Sequence, residues 1–346
     1  MWTVSKFKAG ERVVVRSKEE ILATLDADGC LDKQPFMPEM LAYCGRELRV
    51  GAVAHKTCDT VNKTGGRKLD RTVHLEGVRC DGSAHGGCEA ECLIFWNEAW
   101  LKPAGASRRP DAAPRAREVG CTEEQLRAAI HARNSGEGGV VRYRCQATQL
   151  PEATRLLPWW NVRQYWLDFS TGNFSFGHVL KVLTMAGARQ LMRLPLGYRV
   201  AMGISNAVHR LFTGRPTPGV SGTIPAGKQT PADPLNVQPG EWVRVKPSAE
   251  IAATLNKNNK NRGMWFDQEQ VMYCGQTLQV RRRVRQIVNE NTGEMMQMQN
   301  PCITLEGSLC SGDFSEHRLL CPRAITGYWR EIWLQRAGAP SRQPDS

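Results

Sequence analysis

Apolar and polar residues alternate from Glu11 to Arg16, just after the turn at Ala9-Gly10, and again from Glu241 to Lys246 after Pro239-Gly240. Alternation predicts a strand at each place, because successive side chains of a strand point to opposite faces. A short helix is predicted next. Ser17 precedes KEEILATL, whose Ile21, Leu22 and Leu25 share one helical face, and SAEIAATL from Ser248 keeps the same spacing. Phe36 to Tyr43 predicts a further helical turn stopped at Gly45, and Leu48 to Val53 and Leu278 to Val284 predict strands.

These elements repeat at a fixed offset. Gly10 and Gly240, Phe36 and Phe266, Tyr43 and Tyr273, Cys44 and Cys274, Leu75 and Leu305, and Cys80 and Cys310 are each 230 positions apart. Between Cys80 and Cys88 the second copy gains three residues, after which Cys88 matches Cys321, Trp96 matches Trp329 and Trp100 matches Trp333. A constant offset over so long a stretch points to a duplicated unit. Short strands, glycine turns and a unit of this size suit a small β-barrel. The predicted fold class is therefore α+β: two duplicated small SH3-like β-barrel modules flanking a mainly helical middle region. The boundaries are 1–103 for the metal-binding copy, 104–119 for a linker, 120–214 for the basic helical region, 215–238 for a second linker, 239–337 for the second copy, and 338–346 for a flexible tail. In the middle region Thr122 is predicted to cap a helix over TEEQLRAAIHAR, and VVRYRC reads as a strand. The pattern W-x-E-x-W at Trp96 to Trp100 and Trp329 to Trp333 predicts strand geometry with both indoles in the core.

Composition narrows the function classes. The chain has 346 residues, 12 cysteines and a formal net charge of +12, a balance that favours anionic partners. The stretch MWTVSKFKAGERVVV shows no apolar leader segment, which predicts a reducing, cytoplasmic setting where cysteines act as metal ligands, redox groups or buried apolar thiols. No run of about 18 apolar residues predicts a transmembrane helix.

The chemistry concentrates in Cys80, His85, Cys88 and Cys92, which spell C-x4-H-x2-C-x3-C in a glycine-rich stretch. Such a set suits a tetrahedral zinc ion. Cys58, His85 and Cys92 are all missing from the second copy, where Val288, Arg318 and Ile325 stand instead. Residues that differ together point to a shared task, which adds Cys58 to the candidate metal set. Four thiolates equally suit an iron–sulfur cluster, the alternative cofactor, and burial as small apolar side chains is the third reading. Cys302, Cys310, Cys321 and His317 form a looser second set. Cys145, next to Arg142 and Arg144 in RYRCQAT, reads as a buried strand thiol, with a nucleophile as the alternative. The motifs of the common hydrolases, nucleotide-binding loops and zinc proteases are missing, so whether the chain is an enzyme stays open and no catalytic residue is assigned.

From Trp159 to Phe212 aromatic residues, apolar stripes and basic positions recur, with Lys181, Arg189 and Arg193 beside one stripe and Pro195 between two helical segments. This predicts docking on an anionic membrane surface, peripheral on the inner face, or on an enzyme partner, with packing of the apolar stripes against the two barrels as the equal alternative. The basic run Arg281, Arg282, Arg283 and Arg285 reads first as a solvated edge strand guarded by charge, with nucleic acid as the weaker alternative.

The stretches PFMPEMLAYCGRELRV, LEGVRCDGSAHGGC and FWNEAWLK resemble a family of bacterial proteins of unassigned function with SH3-like repeats, often found beside polysaccharide-biosynthesis enzymes. The resemblance implies no activity. Together these readings predict an accessory, non-catalytic metal-binding protein with tandem SH3-like modules. An iron–sulfur redox protein of a biosynthetic pathway and a nucleic-acid-binding protein are the alternatives.

Overall fold

The computed structural model describes residues 5–105, 120–191 and 198–339. The fold mixes α and β structure, with several small antiparallel sheets. It divides into two compact units: the first takes residues 1–180 with 286–296 and 316–324, and the second takes 181–285, 297–315 and 325–346. Two excursions of the second half of the chain, a hairpin and a loop, thus belong to the first unit. The middle region is split between the units inside the helix Phe176–Gln190.

In the first unit a five-stranded antiparallel sheet runs, in spatial order, Trp96–Asn97, Thr72–Leu75, Glu47–Val53, Arg12–Val15 and Leu101–Pro103. Its register sets Val13 opposite Leu48, Val15 opposite Leu101, Val50 opposite Leu75 and Val73 opposite Trp96. The second unit has a sheet in the same order: Thr326–Trp329, Ile303–Leu309, Thr277–Arg283, Trp242–Val245 and Leu334–Arg336. Its pairs are Val243 with Leu278, Val245 with Leu334, Val280 with Leu305 and Ile303 with Trp329. Even the irregularity recurs, with register shifting between Val50 and Ala52 and between Val280 and Arg282.

The cores follow the same positions. Phe36 meets Trp100 edge-on at 5.1 Å between ring centroids, and Phe266 meets Trp333 edge-on at 5.0 Å. Trp96, Trp100, Trp329 and Trp333 are all fully buried, a geometry and burial in which aromatic rings contribute most to a core. Indole N–H groups need acceptors once buried, and Thr24 supplies one to Trp100 at 3.2 Å as Thr254 does to Trp333 at 3.1 Å.

Several local predictions are met, and some are shortened. Ser17 caps the helix Lys18–Leu22 in a reciprocal capping box with Glu20. Thr122 also forms a capping box, but with Gln125, and its helix covers Glu123–Ala128 instead of running on to Arg133. The strand predicted at VVRYRC reduces to isolated bridges, with His131 facing Tyr143 and Arg142 facing Glu294. The W-x-E-x-W stretch is not one strand: Asn97 caps a tight helical turn at Glu98–Trp100, which turns Glu98 inward to accept from Ser5 and from the Lys6 N–H at 3.0 Å. The two indoles are core residues as predicted, reached by a turn instead of alternation.

One buried ion pair fixes the helix Arg163–Ser170 in the first unit. Lys56 Nζ lies 2.6 Å from Asp168 Oδ2, both side chains are almost wholly buried, and the lysine also donates to the Leu319 carbonyl at 2.8 Å.

Candidate metal centre

The loop from Cys80 to Cys92 closes on itself in the first unit. The Cys80 N–H donates to the Cys92 carbonyl at 2.8 Å, and the N–H groups of His85 and Gly87 both reach the Gly82 carbonyl, at 2.9 and 3.0 Å. Gly82 and Gly86 allow this path. Both have positive φ, and a β-carbon would stand 1.9 Å from the Cys88 carbonyl oxygen at Gly82 or 2.3 Å from the Tyr143 hydroxyl at Gly86.

The loop places its chemistry inward. His85 is buried, with Nδ1 3.0 Å from Glu39 Oε1 and Nε2 3.2 Å from the Arg144 carbonyl. The Cys80 thiol donates to the same Glu39 oxygen at 3.0 Å. Among the described residues, Glu39, Cys80 and His85 are the one set of three whose ligand atoms lie within 4.8 Å of one another. Beside them is a cavity of about 40 Å³ lined by Cys80, His85, Cys88, Cys92 and Cys145, with Glu290 and Arg323. A buried water needs roughly 10–15 Å³, so the space is large enough for an ion or a small inorganic group.

Segments from the second half of the chain complete the wall. The Gln286 side chain donates to the Gly86 and Gly87 carbonyls at 2.9 and 3.1 Å, and the Gln286 backbone carbonyl accepts from the Glu89 N–H at 3.0 Å. Val288 donates its N–H to the Cys88 sulfur at 3.3 Å. Arg323 is buried, pairs with Glu290 at 3.2 Å and donates to the Thr60 hydroxyl at 2.7 Å.

Electrostatics at the site are set by desolvation. Burial pushes the Cys92 thiol up to about 12 and the Cys145 thiol up to about 11, and burial together with the Glu39 carboxylate raises Cys80 well above the usual thiol range. Burial also opposes ionisation of Glu39, but its contacts with His85 and Cys80 hold its carboxyl below the ordinary range. Arg323 stays charged against the effect of burial because Cys58, Glu290 and Cys92 face it.

Of the residues singled out in the sequence, Cys80, His85, Cys88 and Cys92 come together on this cavity. Cys58 is placed elsewhere: it is buried on the strand Lys56–Cys58 and is hydrogen-bonded to Cys321, which draws its thiol below the usual range with help from Arg323. His317 packs against Trp159 with ring centroids 6.1 Å apart. Cys302 is buried in the second unit, with its thiol pushed up to about 12 by burial. Two cavity-side residues were not read as ligands from the sequence. Cys145 comes from the middle region, in a turn closed by Thr148 at 2.9 Å. Glu39 lies in FMPEM, and its counterpart Glu269 accepts instead from Ser311, Phe314 and Ser315, so the sequence position alone marks a loop-holding carboxylate in both halves.

The surfaces named as partner sites differ in how free they are. In the first unit Trp160, Trp166 and Phe176 are 67%, 63% and 61% exposed; Trp160 meets Trp159 edge-on, Phe169 meets both Trp166 and Phe176, and Leu180, Arg155 and Arg163 are exposed as well. In the second unit the helix Tyr198–Thr213 exposes Tyr198, Val200 and Leu211. Arg189, predicted beside the apolar stripe, is buried with its guanidinium 3.4 Å from His209, so it is withdrawn from any surface; Arg193 and Pro195 lie outside the described residues. Arg281 pairs with Glu306 at 3.1 Å and Arg283 with Glu331 at 2.7 Å, which ties down two positions of the basic run. Among the described residues no helix is long and apolar enough to cross a membrane. No family model, curated protein or solved structure matches the chain.

Proposed function

We propose that the chain is an accessory, non-catalytic metal-binding protein made of two copies of one SH3-like unit, the first carrying the metal. The supporting observation is that cysteines from separate stretches, Cys80, Cys88 and Cys92 in one loop and Cys145 in another, converge with His85 on one small cavity. Buried thiols are common as apolar side chains, but four on one cavity, beside a buried histidine bonded to a buried carboxylate, gather more ligand groups than an apolar core needs, and a bound metal accounts for them. Zinc would take Cys80 and His85 with Glu39, while the wider set of thiols suits a polynuclear centre. A metal held this way contributes folding free energy directly. In the full chain, a strong chelator is expected to lower the thermal unfolding midpoint by several degrees, and re-addition of the metal to restore it. An unchanged midpoint on a protein shown to have lost its metal argues against a structural centre.

The partner we propose is an anionic membrane surface, met peripherally by the patch of Trp159, Trp160, Trp166, Phe169 and Phe176. Exposed tryptophans beside exposed Arg155 and Arg163, in a chain of net charge +12, match the interfacial and electrostatic components of such binding. The cytoplasmic leaflet is the natural surface for a chain in a reducing compartment. Flotation with vesicles rich in phosphatidylserine should carry the protein at low salt, and Trp160→Ala with Trp166→Ala should weaken it more than tenfold; protein that stays behind in both forms rules the patch out. The committed arginines in the second unit favour this surface over nucleic acid.

A further inference from the structure

Resting on the metal-binding reading above, we infer that the centre is an iron–sulfur cluster held by Cys80, Cys88, Cys92 and Cys145, with Cys145 as a ligand supplied by the middle region. Three observations carry it. Four thiols and no disulfide line the cavity, and four thiolates are the usual ligand complement of two-iron and four-iron clusters. Their spacing is too wide for one ion. A zinc–sulfur bond of about 2.3 Å sets tetrahedral ligand atoms about 3.8 Å apart. Yet no three of these sulfurs gather within 4.8 Å, the distance that does enclose Glu39, Cys80 and His85 among the described residues. Cysteines that line one cavity without closing on a single point fit a group several atoms across.

The surroundings offer an anion one cation and one amide donor, beside the Glu290 carboxylate that already pairs with Arg323. Four thiolates outweigh the charge of the iron and sulfide they hold, and a buried net negative charge needs compensation. Arg323 lies on the cavity wall, almost fully buried, and the Val288 N–H points at the Cys88 sulfur at 3.3 Å, the kind of donor that stabilises cluster thiolates. Both come from the second half of the chain. The second copy's own loop lacks the equivalents of His85 and Cys92, so its excursions serve the first copy's site. In this assignment Cys58 and Cys321, hydrogen-bonded to each other, are not ligands.

The test uses full-length protein purified without oxygen. Iron, acid-labile sulfide and zinc are quantified, and the visible spectrum is recorded before and after dithionite, which donates one electron to an oxidised cluster and bleaches it. The expected result is iron and sulfide in near-equal amounts, visible absorption that bleaches, more than tenfold loss of both in Cys145→Ser, and retention in Cys58→Ser. Since Cys145→Ser can also unfold the region, a second measurement follows thiol alkylation of the wild-type protein by mass spectrometry: Cys145 should be protected in the holoprotein and labelled after the metal is stripped under conditions that leave the fold intact. Stoichiometric zinc without iron overturns the cluster while leaving the metal reading standing. No metal, even after anaerobic reconstitution with iron and sulfide, overturns both. Full iron in Cys145→Ser, or equal labelling with and without metal, removes Cys145 from the ligand set.

Discussion

Val288 donates its backbone N–H to the Cys88 sulfur, and Cys58, its counterpart 230 positions earlier, is hydrogen-bonded to Cys321, the counterpart of Cys88. The same hairpin-to-loop relation is therefore made twice with different chemistry. On one side it helps wall the cavity; on the other it joins two buried thiols beside Arg323. The cavity side depends on the loop path, and Gly82→Ala tests it. The added β-carbon would meet the Cys88 carbonyl at 1.9 Å at a positive φ, so the loop must open. Metal content should fall at least fivefold in this variant while the strands of the second unit, followed by hydrogen exchange, keep their protection.

The two cores differ in one hydrogen bond. Trp329 donates to the Ser308 hydroxyl at 2.8 Å, whereas Trp96 Nε1 is buried without a partner because Val78 stands where Ser308 would be. An orphaned buried donor costs about 1–3 kcal/mol. Ser308→Val should destabilise the second unit by about that amount, measured as a shift in the urea midpoint at constant slope. An effect below about 0.3 kcal/mol would mean that the indole N–H finds water or another acceptor.

Lys56 and Asp168 form the most deeply buried ion pair of the first unit among those described, at 2.6 Å. Removing one partner of such a pair leaves an uncompensated buried charge and costs about 3–5 kcal/mol. Asp168→Asn should therefore unfold the first unit early in urea, while Lys56→Met with Asp168→Leu should recover most of the loss. If the double variant is no better than the single one, packing of the helix Arg163–Ser170 and not charge governs the site.

Stability should also fall in mild acid through His74. Burial holds its imidazole down at about 4 from an ordinary 6.5, with one ring nitrogen bonded to the Ile94 carbonyl at 2.8 Å and the other unpartnered. The unfolded chain takes up the proton first, so this contribution is complete above pH 6.5 and is lost as pH falls toward 4, amounting to about 3 kcal/mol over that window. Denaturant midpoints measured at pH 7 and pH 5 should diverge in the wild type and converge in His74→Gln. Equal pH slopes in both proteins would assign the acid sensitivity to other groups.

Several strands, the buried tryptophan pairs and the capped first helix were legible because they rest on local patterning and on positions that recur at a fixed offset. That Cys80, His85, Cys88 and Cys92 come together was legible for a related reason: they lie within one glycine-rich turn, so proximity in sequence implies proximity in space. Cys145 was not, since it reaches the cavity by tertiary packing of the middle region, and nothing near RYRCQAT encodes that approach. Cys58 shows the limit of comparing copies. Its absence from the second copy together with His85 and Cys92 marks a shared difference, but the structure seats it against Cys321, a partner that the second copy itself provides. The shortened helix after Thr122 has a similar origin, because His131 is drawn into a bridge with Tyr143 that local helix propensity does not anticipate.

The central claim is that the first unit is built around a bound metal. Metal-to-protein stoichiometry of the anaerobically purified full chain, determined by elemental analysis beside a Cys88→Ser, Cys92→Ser double variant, tests it most directly. The account predicts a tightly held transition metal in the wild type that survives gel filtration and falls at least tenfold in the double variant. A folded wild-type protein with no metal above the level of the double variant would contradict it, and would leave the thiols of the cavity as buried apolar side chains.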